Sequence, residues 1–325
     1  MRPSTRFDRL LDASILWSFD RTGWERHRKR FTDAPTRVLS GEEALVTGGG
    51  SGIGYAAAAG LIAHGARTTI WGRRASATES AAAALGARPL TADLSDLARV
   101  THQLEAWRPT TPLTALILNA GAMPSTLTHT PQGHECIWAS QVLGHLLLLR
   151  TLAARGDLAP GCRVVWVASG GLYLQRLDLT DLTWAQRPYN KYAAYANAKR
   201  AQLILTSMLH DALADHSLHL SCMHPGWVDT PALRTAMPWF QTLLNQTLRD
   251  ASAGADTMLW LVTTREPVAG GKFWFDREEV PAHLWWRTRE TPQDRAALWR
   301  HCHDALAPWW PHDVRATLAS EGDHL

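Results

Sequence analysis

A tyrosine and a lysine four residues apart, Tyr195 and Lys199, are the residues of this 325-residue sequence whose spacing most clearly suggests chemistry. On a helix, a spacing of four places the phenol and the ammonium on one face. A tyrosine with its ordinary pKa of about 10 is a poor acid–base catalyst at neutral pH, and a neighbouring cation stabilises its phenolate. Ser169 ends a predicted strand, so its hydroxyl is expected in the same crevice. Together the three residues predict proton transfer at a substrate oxygen.

A glycine-rich loop follows the first predicted strand and leads directly into an alanine-rich helix. Glycines let the backbone approach a pyrophosphate closely, and the helix N-terminus offers free N–H groups and its positive dipole end. A glycine cluster alone is a weak signal, but the strand–loop–helix order favours dinucleotide binding. The residues predicted to bind the cofactor here are Thr47, Gly48, Ser51, Gly52, Ile53 and Gly54.

The end of the second predicted strand bears on the choice of cofactor. Gly72 stands where an NAD(H)-binding chain would be expected to carry a carboxylate for the ribose 2′-hydroxyl. Arg73 and Arg74 follow, and guanidinium groups suit a 2′-phosphate, although arginines after a strand can also be merely solvated. We therefore predict NADP(H) as the preferred cofactor, with NAD(H) as the alternative. Later strand ends add the pair Asp93 and Leu94 near the adenine and the turn Asn119, Ala120 and Gly121 along the cofactor cleft.

These residues must be positioned by a parallel sheet, because short aliphatic runs alternate with longer helical stretches from residue 44 onward. The predicted strands are 44–47, 68–71, 89–92, 113–119, 163–169, 219–223 and 272–275. The predicted helices are 53–63, 76–85, 97–107, 133–154, 192–214 and 251–263. The fold class is therefore α/β, a doubly wound parallel sheet of the Rossmann type. We predict one domain at 43–280, an N-terminal extension at 1–42 and a C-terminal helical extension at 281–325.

Composition excludes several classes of protein. Hydrophobic residues make up 46% and charged residues 19% of the chain, which is enough apolar material for a folded core. The net charge of +3 is small and the basic residues are scattered, so nucleic-acid binding is not expected. The apolar turn at 146–149 is bracketed by His145 and Arg150, which indicates a core helix rather than a membrane span.

The cysteines and histidines do not suggest a metal site. Four cysteines, at 136, 162, 222 and 302, contain no CxxC pair, so we predict neither a disulfide framework nor a thiolate site. His301 and His303 flank Cys302, but alternate residues on a helix point to different faces. We expect no metal, and a reducing, cytoplasmic location.

In order along the chain, the glycine loop, the Asn-Ala-Gly turn, the serine, Tyr-x-x-x-Lys and a Pro-Gly turn resemble the classical short-chain dehydrogenase/reductase family over about residues 40–265. A closer likeness is to its dehydrogenase/reductase member-twelve subgroup, seen in Ser169-Gly170-Gly171, in 223–231, in 254–261 and in 18–23. The resemblance implies that Tyr195 donates a proton to a substrate carbonyl oxygen and that Ser169 holds this oxygen. Lys199 would bind the nicotinamide ribose and lower the pKa of the tyrosine, and both Tyr195 and Lys199 would touch the cofactor.

The resemblance also implies that the turn after the sixth strand cradles the nicotinamide end of the cofactor, through Pro225, Gly226, Val228 and Thr230. One position departs from the family pattern. Gln141 stands where the family carries an asparagine that supports a water in the proton relay. Glutamine keeps the amide on a longer arm, so a shifted relay and a merely packed residue both remain open.

The implied activity is hydride transfer between a nicotinamide and a small carbonyl or alcohol substrate, most simply an apolar one because an apolar lid is predicted at 231–245. The alternative is a nucleotide-binding regulatory protein of the same fold with little or no turnover. We expect a homo-oligomer with no integral membrane segment. The basic, tryptophan-bearing N-terminus leaves room for peripheral membrane contact, against which stand Asp8, Asp12, Asp20 and Glu25.

Overall fold

The computed structural model describes residues 18–31, 36–244 and 246–320. Two of the acidic residues weighed above, Asp8 and Asp12, lie outside the described residues. So does Asn245, at the end of the predicted lid.

An eight-stranded sheet forms the centre of the molecule, in the order β3-β2-β1-β4-β5-β6-β7-β8. The strands are β1 Glu43–Thr47, β2 Arg67–Gly72, β3 Arg88–Thr91, β4 Leu113–Leu118, β5 Leu158–Val167, β6 His219–Met223, β7 Lys272–Phe275 and β8 Glu278–Glu279. The first seven are parallel, and β8 pairs antiparallel with β7. The predicted doubly wound α/β fold is confirmed. The strand order reverses between β1 and β4, where such sheets open a ligand crevice at their carboxyl edge.

The helices are α1 Arg21–Arg28, α2 Gly52–Ala63, α3 Ala75–Leu85, α4 Leu97–Ala106, α5 Cys136–Ala154, α6 Lys191–Ala212, α7 Pro231–Ala236, α8 Pro238–Leu244, α9 Ala251–Thr263, α10 Pro292–Leu306 and α11 Arg315–Ser320. The predicted start of α5 at residue 133 is wrong. Gly133 has a positive φ of 82°, and Glu135 caps the helix by accepting from the N–H groups of Ile137 and Trp138. The helix therefore begins only at Cys136.

Three further elements differ from the prediction. The strand expected at 163–169 begins earlier, at Leu158, and ends at Val167, so that Ser169 lies in the turn beyond it. The lid segment, which is not among the predicted helices, forms two helices, because Pro238 has no N–H to continue α7. Helix α1 was not predicted, and Asp20 caps it by accepting from the N–H of Gly23 at 2.9 Å.

Two helical layers cover the sheet. On one face, α2 and α9 pack together and bury Ala57, Leu61, Met258 and Val262 against the sheet. On the other face, α4, α5 and α6 bury a larger apolar cluster. This arrangement leaves the carboxyl ends of β1, β4, β5 and β6 to be closed by loops.

Helix α5 is covered on both sides, because residues of the C-terminal helices, including Trp299, Leu306 and Leu318, join the cluster in which it lies. Of the described helices, Cys136–Ala154 alone is long and apolar enough to cross a membrane, with a mean hydropathy of 1.3. Its most apolar stretch is 89% buried inside the protein, as in a core helix.

Candidate active site

Three elements bring the predicted catalytic residues together. Ser169 caps the 3₁₀ turn Gly170–Leu174 just beyond β5, where its hydroxyl accepts from the N–H of Gly171 and lies beside the Tyr195 phenol. Asn190 caps α6, which carries Tyr195 and Lys199 on successive turns. The Lys199 ammonium donates to the carbonyl of Val167 at 2.8 Å and lies 5.3 Å from the centre of the Tyr195 ring. The predicted serine, tyrosine and lysine therefore form one cluster.

Burial controls the protonation of this cluster. It raises the pKa of Tyr195 above its ordinary value, and the neighbouring Ser169 hydroxyl acts on this pKa in the opposite direction. It lowers the pKa of Lys199 to about 7, because the charged ammonium loses its hydration there. The lowering expected for the Tyr195 pKa is thus outweighed by burial, and the phenol carries its proton at neutral pH.

Gln141 lies in a π-helical turn of α5, Ala139–Leu143, beside the turn that contains Gly121. Its amide nitrogen donates to the carbonyl of Ala122 at 2.7 Å. Its own backbone carbonyl accepts from the Gln202 side chain at 2.7 Å. The side-chain oxygen of Gln141 is buried and has no hydrogen-bond partner among the described residues. The backbone carbonyl of Gln141 in this π turn is therefore already hydrogen-bonded to the side-chain amide of Gln202.

A buried hydroxyl connects the glycine loop to the Asn-Ala-Gly turn. Thr47 Oγ1 accepts from the backbone N–H groups of Asn119 at 2.9 Å and Ala120 at 3.0 Å. It lies 2.9 Å from Nε2 of His145, to which its proton can be donated. Burial lowers the pKa of His145 to about 3, so this imidazole is neutral. Thr47 is fully buried, and would therefore act on a cofactor only through the turn that it holds.

The glycine loop fits a pyrophosphate. Gly48 has a φ of 70°, and a Cβ there would lie 2.9 Å from the Cα of Ala120. Gly52 has a φ of 54° and lies against Thr230, which belongs to the Pro-Gly turn. Ser51 caps α2 by position and makes no side-chain capping hydrogen bond within the described chain. The first N–H groups of α2 are thus left for a phosphate, in a loop that only glycine can form.

The adenosine of a cofactor would lie beside the end of β2, where the chain carries a cation and no carboxylate. A side chain at Gly72 would collide with Thr78 of α3. Arg73 is 66% exposed, and its Nε lies 3.9 Å from Oδ2 of Asp93. Both line a cavity of about 630 Å³ between β3, α4 and the start of α5. Arg74 is exposed at the start of α3, whereas Leu94 is buried and can offer only its backbone.

The Pro-Gly turn closes the opposite end of the crevice. Gly226 has a φ of 76°, a conformation that favours glycine. Thr230 caps α7 by accepting from the N–H of Leu233 at 3.1 Å. Val228 is buried against α9, where a Cβ at Gly254 would lie 2.6 Å from its side chain. Pro225, Gly226 and Thr230 are half-buried, so Val228 is the one member of the predicted set that is buried.

Aromatic side chains line the lid. Phe240 of α8 packs edge-on against Trp227, with 5.0 Å between ring centres. Trp239 is 60% exposed, and its Nε1 lies 3.4 Å from the hydroxyl of Tyr192. The Lys191 ammonium donates to the carbonyl of Ala236 at 2.7 Å. The lid therefore rests on the first turn of α6, directly before Tyr195.

One polar cluster, formed by Arg249, Asp276 and His27, was not predicted from the sequence. Asp276 is buried, and burial acts to raise its pKa, but the bonds with His27 and Arg249 outweigh this and hold the pKa below its ordinary value. The cluster lies beneath the Pro-Gly turn, since Arg249 donates to the carbonyl of Pro225. In the sequence, the family resemblance at 18–23 was the one feature that pointed to this region, and it did not indicate a role. No group of three potential metal ligands occurs within the described ranges.

Comparison with known proteins identifies the family to which the chain belongs. The family model described as short chain dehydrogenase matches residues 42–240. The chain is 33% identical over 290 residues to "Dehydrogenase/reductase SDR family member 12" from Homo sapiens, covering 84% of this chain and 91% of that one. It is 29% identical to the polyprenol dehydrogenase of Homo sapiens, over 77% of this chain and 80% of that one.

Among solved structures, an uncharacterised protein from Mycobacterium paratuberculosis superimposes with a TM-score of 0.67 at 27% identity, covering 84% of this chain and 95% of that one. The family model spans more than half of the chain and includes the glycine loop, Ser169, Tyr195 and Lys199. The chain therefore belongs to the short-chain dehydrogenase/reductase family and is an NAD(P)-dependent dehydrogenase/reductase.

Proposed function

We propose that this protein uses NADP(H) to reduce the carbonyl group of an apolar small molecule, and to oxidise the corresponding alcohol in reverse. The observation that carries the proposal is the placement of the Ser169 hydroxyl beside the Tyr195 phenol, with the Lys199 ammonium 5.3 Å from the centre of the phenol ring and held by the carbonyl of Val167. This geometry supplies a proton donor and an oxygen-binding hydroxyl side by side.

Each residue has a distinct part in the reaction. The nicotinamide cofactor supplies the hydride when bound. Ser169 donates a hydrogen bond to the substrate carbonyl oxygen and orients it toward Tyr195. The Tyr195 phenol, which burial keeps protonated at neutral pH, gives its proton to the oxygen as negative charge develops there. Lys199, protonated below about pH 7, then stabilises the phenolate that remains.

The end of β2 supports the proposed preference for NADP(H). Thr78 leaves no room for a carboxylate side chain at position 72, so the usual acceptor for a ribose 2′-hydroxyl has no place there. Arg73 stands at the next position with an exposed guanidinium, and its nearest acid, Asp93, is 3.9 Å away. A phosphate at this place would gain a charge-assisted hydrogen bond.

The lid supports an apolar substrate. Trp227, Trp239 and Phe240 present ring edges and faces next to the Pro-Gly turn. One relative of this chain is named for a polyprenol, a long apolar alcohol. Burial of such a molecule against three aromatic rings would contribute about 25 cal/mol for each square ångström of apolar surface removed from water.

A substrate panel tests the proposal. Wild type and Tyr195→Phe are compared on aldehydes and ketones of increasing apolar size, with NADPH and with NADH, by the absorbance of the reduced cofactor. We expect turnover that is faster with NADPH and a loss of about 10²–10⁴ in kcat for Tyr195→Phe. NADPH binding should be unchanged, because the phenolic proton serves the chemical step. Near-normal turnover in this variant would remove Tyr195 from the mechanism.

A further inference from the structure

We propose that residues 18–28, which lie outside the matched family region, form part of the cofactor site by fixing the Pro-Gly turn through Arg249 and Asp276. We call residues 18–28 the N-terminal clamp. The inference rests on the proposed function, because it assigns a positioning role toward the nicotinamide end of the same cofactor.

All five N–H groups of the buried Arg249 guanidinium have acceptors. Two of them bind Asp276, from Nη1 to Oδ1 at 2.6 Å and from Nη2 to Oδ2 at 2.8 Å. The other three bind backbone carbonyls, from Nε to Asp20 at 3.1 Å, from Nη2 to Ser18 at 3.1 Å and from Nη1 to Pro225 at 3.3 Å. One side chain therefore joins the N-terminal clamp, the Pro-Gly turn and the end of β7.

The backbone on either side of Gly226 depends on the same contacts. The N–H of Trp227 donates to the carbonyl of Phe19 at 2.8 Å, and the N–H of Arg249 donates to the carbonyl of Trp227 at 2.8 Å. A Cβ at Gly226 would lie 2.6 Å from both Phe19 O and Arg249 Cζ. The left-handed turn at Gly226 is thus packed directly against the N-terminal clamp.

The clamp also reaches the catalytic serine and the end of the sheet. The Phe19 ring packs against Gly170, the residue after Ser169, and against His224 with 4.4 Å between ring centres. His27 Nδ1 lies 2.6 Å from Oδ2 of Asp276. Displacement of this segment would therefore loosen the turns that follow both β5 and β6.

Asp276 occupies an unfavourable backbone conformation. It has a φ of 46°, and the next residue, Arg277, has a φ of 62°. Two consecutive left-handed residues that are not glycine cost free energy, and they persist where the surroundings fix them. Here Arg249 and His27 hold the carboxylate of Asp276 in place. This strained turn is what aims the carboxylate at Arg249 beneath the Pro-Gly turn.

The test measures how much the nicotinamide end contributes to cofactor binding. Binding of NADP⁺ is compared by titration calorimetry with binding of its fragment 2′-phospho-ADP-ribose, which lacks the nicotinamide. The full-length variant Arg249→Lys keeps the charge but loses the fork that reaches Ser18, Asp20 and Pro225. Asp276→Asn, which keeps the size of the side chain, is the second variant if the first does not fold. NAD⁺ and ADP-ribose repeat the comparison without the 2′-phosphate.

Arg155→Lys is the matched control. The side chain of Arg155 is also buried. It also binds an aspartate with two N–H groups, the more exposed Asp313 at 2.8 and 2.9 Å, and also donates to a carbonyl, that of Leu104. It lies at the opposite end of the sheet, near the C-terminal helices.

We expect a tenfold or greater weakening of NADP⁺ binding in the Arg249 or Asp276 variant, with less than a twofold change for the fragment and no change in Arg155→Lys. Equal weakening of NADP⁺ binding and fragment binding, or no weakening in a folded variant, would overturn the role of the clamp and leave the proposed function standing. Failure of wild type to bind any dinucleotide or turn over any carbonyl would overturn the proposed function and the clamp together.

Discussion

The half of the crevice built on β1–β3 and the half built on β5–β8 are held by different interactions. On the first, glycines at 48 and 72 let backbone and small side chains pack closely, and the ion pair of Arg73 with Asp93 is exposed and 3.9 Å long. In the β5–β8 half, buried charged groups hold the loops together. Arg249 binds Asp276 and three carbonyls, and Arg200 donates to the carbonyls of Leu172, Gln175 and Ala282.

Substitutions are expected to have different effects in the two halves, because one is held by exposed charges and the other by buried charges. Removing an exposed cation costs little folding free energy and affects only the ligand that it binds. Removing a partner from a buried charged pair leaves an uncompensated charge and costs about 3–5 kcal/mol. We therefore expect substitutions in the β1–β3 half to alter cofactor choice, and those in the β5–β8 half to alter stability and catalysis together.

The largest effect is expected for Lys199→Met. Turnover should fall by about 10²–10⁴, because the phenolate of Tyr195 loses its cation. The variant should also be more stable at pH 7, by about 2–4 kcal/mol, since burial lowers the pKa of Lys199 to about 7 from an ordinary value of 10.5. Cofactor absorbance and thermal unfolding measure the two effects.

The stability effect has a defined dependence on pH. Between about pH 7 and 10.5 the unfolded chain binds the Lys199 proton and the folded chain does not, so wild-type stability rises with pH across this window. Lys199→Met removes that rise, and its advantage over wild type should disappear near pH 10.5. An advantage that is independent of pH would show that the ammonium is not the source of the instability.

Arg73→Ala should have an intermediate effect, confined to the ligand. NADPH binding should weaken about ten- to hundredfold, since charge-assisted hydrogen bonds contribute roughly 1.5–3 kcal/mol, whereas NADH binding and thermal stability should hardly change. The matched control is Arg300→Ala, another exposed arginine, which lies on the C-terminal helix α10. Parallel losses for NADPH and NADH would place the 2′-phosphate elsewhere.

The smallest effect is expected for Gln141→Leu, at the border between the two halves. The substitution removes a buried oxygen that lacks a partner among the described residues, together with one hydrogen bond to Ala122. We expect kcat to change less than tenfold, cofactor affinity to stay constant and thermal stability to rise slightly. A loss above a hundredfold with a shifted pH–rate profile would put Gln141 in the proton path.

The parts of the site that the sequence predicted depend on short spacings. The glycine loop occupies eight consecutive residues, and Tyr195 and Lys199 are one helical turn apart, so their type and order suffice to recognise them. The partners of Asp276 could not be recognised in this way. Arg249 is 27 positions away and His27 is 249 positions away, and only the folded sheet brings them together.

The missed strand β8 has a similar explanation. Its hairpin turn is Asp276 and Arg277, and neither residue suggests the left-handed conformation as strongly as a glycine would. Arg277 is held instead by two hydrogen bonds to Asp256 of α9, on a helix that precedes it in the chain. Turns that long-range contacts stabilise leave little trace in local sequence.

The C-terminal helices cover α5 but are the last part of the chain to be synthesised. The residues of the catalytic cluster have all been translated by Lys199, yet the outer side of α5 stays exposed to water until the chain extends to Leu318. At roughly 5–20 residues per second, the interval between the end of α5 and its cover is on the order of ten to thirty seconds. During that time a long apolar helix of the nascent chain, Cys136–Ala154, lacks part of its cover. A chain terminated before residue 292 would carry every proposed catalytic side chain but would leave this side of α5 exposed, and we expect chaperones and proteases to recognise it.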